Sequence, residues 1–196
     1  MRFPWPGLAL PGFLGTVLVA TLGGAPFYPQ DPPAAHTGGF GEPTCHRCHF
    51  DQPMNAPGGS LRLVGVPELY RAGARYTLTV ELARPAMQRG GFQVSARFAD
   101  GARGGRQAGR LGRLDDRVEV VRDDSSAVQY AHHTETGTTL ATPDTMRWRV
   151  AWTAPETALA RVVFHLSANA ANDDASEFGD FVYVVEGMSR GPGERE

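Results

Sequence analysis

From residue 60 onward, apolar and polar residues alternate in short runs, and each run ends at a turn signal. The runs are 60–66 (SLRLVGV), 76–82 (YTLTVEL), 91–98 (GFQVSARF), 118–121 (VEVV), 128–134 (VQYAHHT), 146–154 (MRWRVAWTA), 161–168 (RVVFHLSA) and 180–186 (DFVYVVE). A period of two is the signature of a strand with one face buried, so this pattern predicts roughly eight short strands. In 146–154, Met146, Trp148, Val150 and Trp152 share one face, and Arg147 and Arg149 take the other. Nothing after residue 60 keeps a helical period, and no internal repeat is visible. The expectation is an all-β domain over residues 60–187, an antiparallel β-sandwich, followed by a flexible tail at 188–196. Residues 26–59 break this rhythm. They are rich in proline and glycine and hold no sustained apolar period, which predicts a linker or a loop wrapped around something.

The first residues read differently again. Arg2 precedes an uncharged stretch with an apolar centre at 14–22 and small residues at 23–25. This is the pattern of an export signal, residues 1–25, or of an N-terminal membrane anchor if it is retained. Pro6 and Pro11 count against a stable spanning helix. Export would place the rest of the chain outside the cytoplasm, in the periplasm or at the cell surface. The net charge of −2 asks for no acidic partner and so gives no sign of nucleic acid. All the basic residues are arginines, which excludes Schiff-base chemistry on lysine.

The candidate chemistry sits in the loop-rich segment. Both cysteines of the chain lie in Cys45-His46-Arg47-Cys48-His49. Three readings compete for them. C-x-x-C-H is the covalent haem attachment pattern: two thiols join the haem c, and the next residue, His49, is the proximal iron ligand. Two cysteines at this spacing are also half of a zinc site, with histidines as the remaining ligands. A structural or redox-active disulfide is the third reading. Export and the absence of further cysteines favour one haem. A segment of about 35 residues cannot bury a haem alone, so the cofactor would need the β-domain for its other face. That domain would then supply the second iron ligand. The candidates are His36, Met54, Met87, His132, His133, Met146 and His165, with His46 unsuited by its place inside the motif. His132 and His133 are adjacent, so on a strand one would face the haem and the other solvent. His133 is favoured, then His36, and an open sixth position is the remaining case. Two histidine ligands would suit electron transfer with a redox partner protein.

Several stretches carry a family resemblance. TGGFGEPTC before the motif, then GSLRLVGVPELYRAGARYTLTVEL, GFQVSARF, AGRL, YAHHTETGT, WRVAWTAPE and VVFHLSANAANDDASEFGDFVYVVE, resemble the bacterial Reeler-type (choice-of-anchor V) domain proteins over residues 37–186. The resemblance implies a secreted Reeler- or immunoglobulin-like β-sandwich, often tethered to the cell surface, with a haem-attachment motif ahead of it. It also matches His133-Thr134 to a family pattern and so favours His133 over His132. No defined enzymatic activity comes with the family. Nor is there a G-x-S-x-G or H-E-x-x-H, so an electron carrier is expected rather than a catalyst. The alternative is an extracytoplasmic binding or structural module whose cysteines form a disulfide or zinc clasp. A haem-based sensor or small peroxidase, with an open iron, is a third reading.

Two stretches remain. Residues 169–180 (NAANDDASEFGD) concentrate oxygen ligands and read either as an Asx-rich turn or as a calcium loop. Residues 97–113 hold five arginines among glycines and read as a solvated hairpin loop.

Overall fold

The computed structural model describes Met1 and residues 32–157 and 160–192. The expected export signal or anchor and the last four residues of the tail lie outside these. Among the described residues nine strands form two antiparallel sheets: β1 (Ser60–Val64), β2 (Arg75–Ala83), β3 (Arg89–Phe98), β4 (Arg110–Arg113), β5 (Val118–Arg122), β6 (Gln129–His133), β7 (Thr145–Thr153), β8 (Val162–Ala171) and β9 (Phe181–Ser189). One sheet runs β1-β2-β7-β4 and the other β5-β6-β3-β8-β9. The fold is the expected all-β sandwich. Among the described residues no helix is long and apolar enough to cross a membrane.

The alternation read from the sequence sets the core. Met146, Trp148, Val150 and Trp152 of β7 are buried, and Arg147 and Arg149 between them are exposed. Across the sandwich they meet Phe92 and Phe164: Trp148 lies 4.8 Å from Phe92 and Trp152 4.8 Å from Phe164, ring centre to ring centre. Full burial of each such side chain contributes roughly 1.5–3 kcal/mol. Both indole N–H groups are satisfied by backbone carbonyls, Trp148 donating to Gly137 and Trp152 to Ala108.

One strand escaped the sequence reading. β4 falls within the arginine-rich stretch and pairs with β7, Leu111 opposite Trp152. Its four residues contain one buried apolar position, Leu111, too little for a period to show.

The five-stranded sheet is buried on both faces at its centre. The positions of β3 and β8 that point away from the core are polar, Gln93, Ser95 and Arg97 on one and His165, Ser167 and Asn169 on the other, yet all six are buried. Residues 32–49 cover them. His36 N–H donates to Gln93 Oε1 (2.7 Å), and Cys45 N–H donates to Ser167 Oγ (3.1 Å). Thr37 Oγ lies 3.4 Å from Ser95 Oγ. Glu42 accepts from the Arg97 guanidinium, from the Tyr130 hydroxyl (2.5 Å) and from the Thr37 hydroxyl (2.7 Å). Phe40, with φ at 54°, lies over this cluster, 5.3 Å from the His165 ring. Of the segment expected to be a linker or a wrapped loop, residues 32–49 wrap over this face of the sheet.

Candidate functional site

The covering segment is a loop closed at its neck. Thr37 pairs with Thr44, and Gly38 N–H donates to the Pro43 carbonyl (2.9 Å). The neck brings His36 and Cys45 to the same end of the loop. From Cys45 the chain makes one turn of 3-10 helix, Cys45–Arg47. The Thr44 hydroxyl caps it by accepting from His46 N–H (3.2 Å), as a threonine at an N-cap does. His49 N–H then reaches back to the Cys45 carbonyl (3.1 Å). Residues three and four apart on such a turn share a side. Cys45, Cys48 and His49 accordingly line one cleft of about 190 Å³.

The other walls come from the sandwich. His133, at the end of β6, Gly91 of β3 and Asn169 of β8 line the same cleft, and His36 of the covering segment lines it too. Five of the residues that the sequence singled out are thus brought together: His36, Cys45, Cys48, His49 and His133. Gly91 has a steric reason to be glycine, because a Cβ there would come within 2.6 Å of His133 Cε1.

The imidazoles differ in how they are held. His49 keeps its Nδ1 edge sealed from solvent, 2.7 Å from Asp180 Oδ2 but out of line for a straight hydrogen bond. Its side chain is nonetheless 32% exposed, and it lines the cleft. His133 Nδ1 lies 3.0 Å from Phe92 N and 3.2 Å from Phe92 O. It can accept from the one or donate to the other. His36 Nδ1 donates to the Ala34 carbonyl (2.9 Å), which leaves Nε2 as an acceptor. The Cys45 thiol is pushed up to about 11, chiefly by burial, so it stays protonated at neutral pH. Both cysteines are free thiols.

The remaining candidates lie elsewhere. Met87 and Met146 are buried in the apolar core. Met54 is exposed, its sulfur near the Thr44 hydroxyl. His46 turns its Nε2 onto the Gln52 carbonyl (2.8 Å). His165 is buried beneath Phe40 and contacts Glu186 at 3.2 Å. His132 does not face solvent, contrary to the sequence expectation. It is fully buried, because β5 and β3 flank β6 on both sides and the covering segment closes that face.

The acidic stretch is spent on protein donors. Asp173 pairs with Arg89 (2.7 Å), Asp174 accepts from Ser176, and Asp180 accepts from Asn169 and from Asn172 N–H. Among the described residues no group of three or more His, Cys, Asp or Glu side chains is arranged to hold a bare metal ion. The donor set at the cleft fits a haem better than zinc: two free thiols and the imidazoles of His36, His49 and His133, with no converging tetrahedron among the described residues.

Asp180, Gly91 and Ser167 had no individual signal in the sequence. Asp180 was visible only as one of several acidic residues in its stretch.

No protein-family model matches the chain, and neither does any curated protein. Among solved structures it is similar to the human F-spondin reeler domain, with 21% identity and a TM-score of 0.44, over 72% of this chain and 96% of that one. It is also similar to AvmM, which catalyzes macrocyclization in alchivemycin A biosynthesis, with 14% identity and a TM-score of 0.42 over 72% and 93% of the two chains. A cohesin module from a Clostridium perfringens family 33 glycoside hydrolase gives 8% and 0.42 over 68% and 94%.

Proposed function

We propose that this protein is an exported monohaem c-type cytochrome that works outside the cytoplasm. The observation that carries the reading is the cleft, which the two thiols, His49, His36 and His133 all line. Cys45 and Cys48 would hold the haem covalently, and His49 would ligate its iron through Nε2. His133 is the favoured second ligand and His36 the next. A haem bound in this way supplies one-electron chemistry, and a redox protein would be the partner. The chain's own residues position it. Ser167 fixes the backbone at Cys45, the loop neck at Thr37 and Thr44 fixes the distance between His36 and Cys45, and Gly91 leaves room for the His133 ring.

A second reading has an observation of its own. Residues 32–49 are docked by Glu42, Arg97, Gln93 and Ser167, none of which needs a cofactor. The sandwich with its cover could therefore serve as an extracytoplasmic binding or structural module. One experiment separates the two. The protein is produced in a host with cytochrome c maturation machinery, stained for haem on a denaturing gel, and its visible spectrum recorded before and after dithionite. Stain that survives denaturation, with sharp α and β bands on reduction, supports the cytochrome; His133→Ala and His36→Ala then identify the second ligand by loss of those bands. A colourless protein from a competent host overturns it in favour of the module.

A further inference from the structure

Asp180 stands outside every role assigned so far. It is 1% exposed and carries a carboxyl group into the protein beside the motif. Burying a carboxylate without partners is expensive, and such groups persist where they are hydrogen-bonded. Asp180 has three neighbours. Asn169 Nδ2 donates to Oδ2 (2.9 Å), Asn172 N–H donates to Oδ1 (3.1 Å), and His49 Nδ1 lies 2.7 Å from Oδ2. The first two come from β8 and the turn that follows it. They pin the carboxylate from the sandwich side and leave it directed at the imidazole. On the His49 side, Nδ1 is sealed from water and makes no aligned hydrogen bond, and at 2.7 Å the carboxylate is the acceptor beside it, one small ring rotation from its proton.

We propose that Asp180 is a positioning residue for His49. It holds the proton on Nδ1, turns Nε2 toward the cleft and makes the imidazole a stronger electron donor. A carboxylate behind a metal-bound histidine fixes the tautomer and raises ligand basicity. Stronger donation favours the oxidised iron, so Asp180 lowers the reduction potential. The Asn-rich stretch at 169–180 then has a purpose apart from calcium: it is the frame that holds this carboxylate. The inference rests on the haem reading above, and its test can fail separately from that reading.

The first measurement needs no haem. Nitrogen-15 spectra of the haem-free protein report which ring nitrogen of His49 carries the proton. The expected result is Nδ1–H in the native chain, with a larger share of Nε2–H in Asp180→Asn, whose amide can present an N–H to Nδ1. Nε2–H in the native chain overturns the proposal. The second uses matured protein. Asp180→Asn should retain covalent haem stain and raise the midpoint potential, the oxidised-to-reduced ratio at fixed potential falling about tenfold, which is ~59 mV for one electron. The iron–histidine stretch in resonance Raman should drop in frequency with it. Asn169→Ala, which frees the carboxylate without touching His49, should move both readouts the same way by less, and serves if Asp180→Asn fails to fold. Haem-stained variants with unchanged potential and stretch overturn the role of Asp180 and leave the cytochrome reading standing. Native protein that never stains overturns the cytochrome reading itself.

Discussion

Replacing Glu42 by Gln should release residues 32–49 from the sheet while leaving the sandwich folded. The Glu42 carboxylate is the hub of the docking network, accepting from Arg97, Tyr130 and Thr37. Arg97 is only 5% exposed along its side chain and Glu42 14%. Removing one partner of a buried ion pair costs about 3–5 kcal/mol, because the surviving charge stays buried without compensation. Tyr130 still offers Arg97 an acceptor at 2.6 Å, so the lower end applies, about 3 kcal/mol. That is a rise of about a hundredfold in the undocked population.

Amide hydrogen exchange reads this directly. The His36 and Cys45 amides bond across the docking surface, to Gln93 and Ser167, and report undocking. Amides in the β2–β7 ladder report the sandwich and act as the internal control. In Glu42→Gln the two reporter amides should exchange about a hundredfold faster and the ladder should hold. A paired Glu42→Leu, Arg97→Met variant should recover most of the protection, since no charge is then stranded. Two results would refute the reasoning. Unchanged exchange at His36 and Cys45 would mean the network contributes nothing. Equal acceleration in the β2–β7 ladder would mean that the segment and the sandwich unfold as one unit.

Three further outcomes follow from the same geometry. Gly91→Ala should destabilise the protein by about 1–3 kcal/mol in urea denaturation, since the new Cβ forces the His133 ring to move; a stability equal to the native chain's would contradict the close approach. Burial, partly offset by Glu186, holds the His165 pKa below its ordinary 6.5. The unfolded chain then binds the proton more readily, so stability is fully present above about pH 6.5 and declines as the pH falls through that value. His165→Gln should flatten this part of the stability–pH curve, and a curve unchanged in slope would remove His165 as its source. In the haem-free protein at neutral pH, iodoacetamide should label Cys45 slowly, as its thiol is pushed up to about 11, and more slowly than in the urea-unfolded chain; equal rates by peptide mapping would argue against the burial of Cys45.

The core was legible because it obeys one rule. Every second residue of β7 is large and apolar, and the structure buries those and exposes Arg147 and Arg149. The thiol pair and His49 were legible too, since their spacing is local and a single turn fulfils it. His133 entered through the alternation of two adjacent histidines and the family resemblance at His133-Thr134, and its neighbour His132 shows where the first of these stops. Alternation says that adjacent residues face opposite ways; it does not say that the second way leads to water. The outward positions of β3 and β8 are polar, as a solvent face would be, and the same letters serve for a face covered by polar loop. Asp180 was hidden for a related reason. Its importance lies in a partner 131 positions earlier, and no periodicity couples residues so far apart.

The polar cover also determines where the cleft lies. A loop pinned at its middle by Glu42 and closed at its neck by Thr37 and Thr44 must return both its ends to one place. His36 is the residue just before the neck and Cys45 the residue just after it. Beneath that place the sheet offers Gly91 and its ladder partner Asn169, one without a side chain and the other engaged with Asp180. The cleft is therefore the edge of the cover, where the loop ends and the β6–β3–β8 surface continues. Changes that loosen the loop at Glu42, far along the sheet from His133, should for that reason also widen the cleft. On the proposed cytochrome reading, a second ligand from the sandwich and a thiol pair from the loop would meet one haem only while the loop stays docked, so the buried charge network would be a precondition of that site.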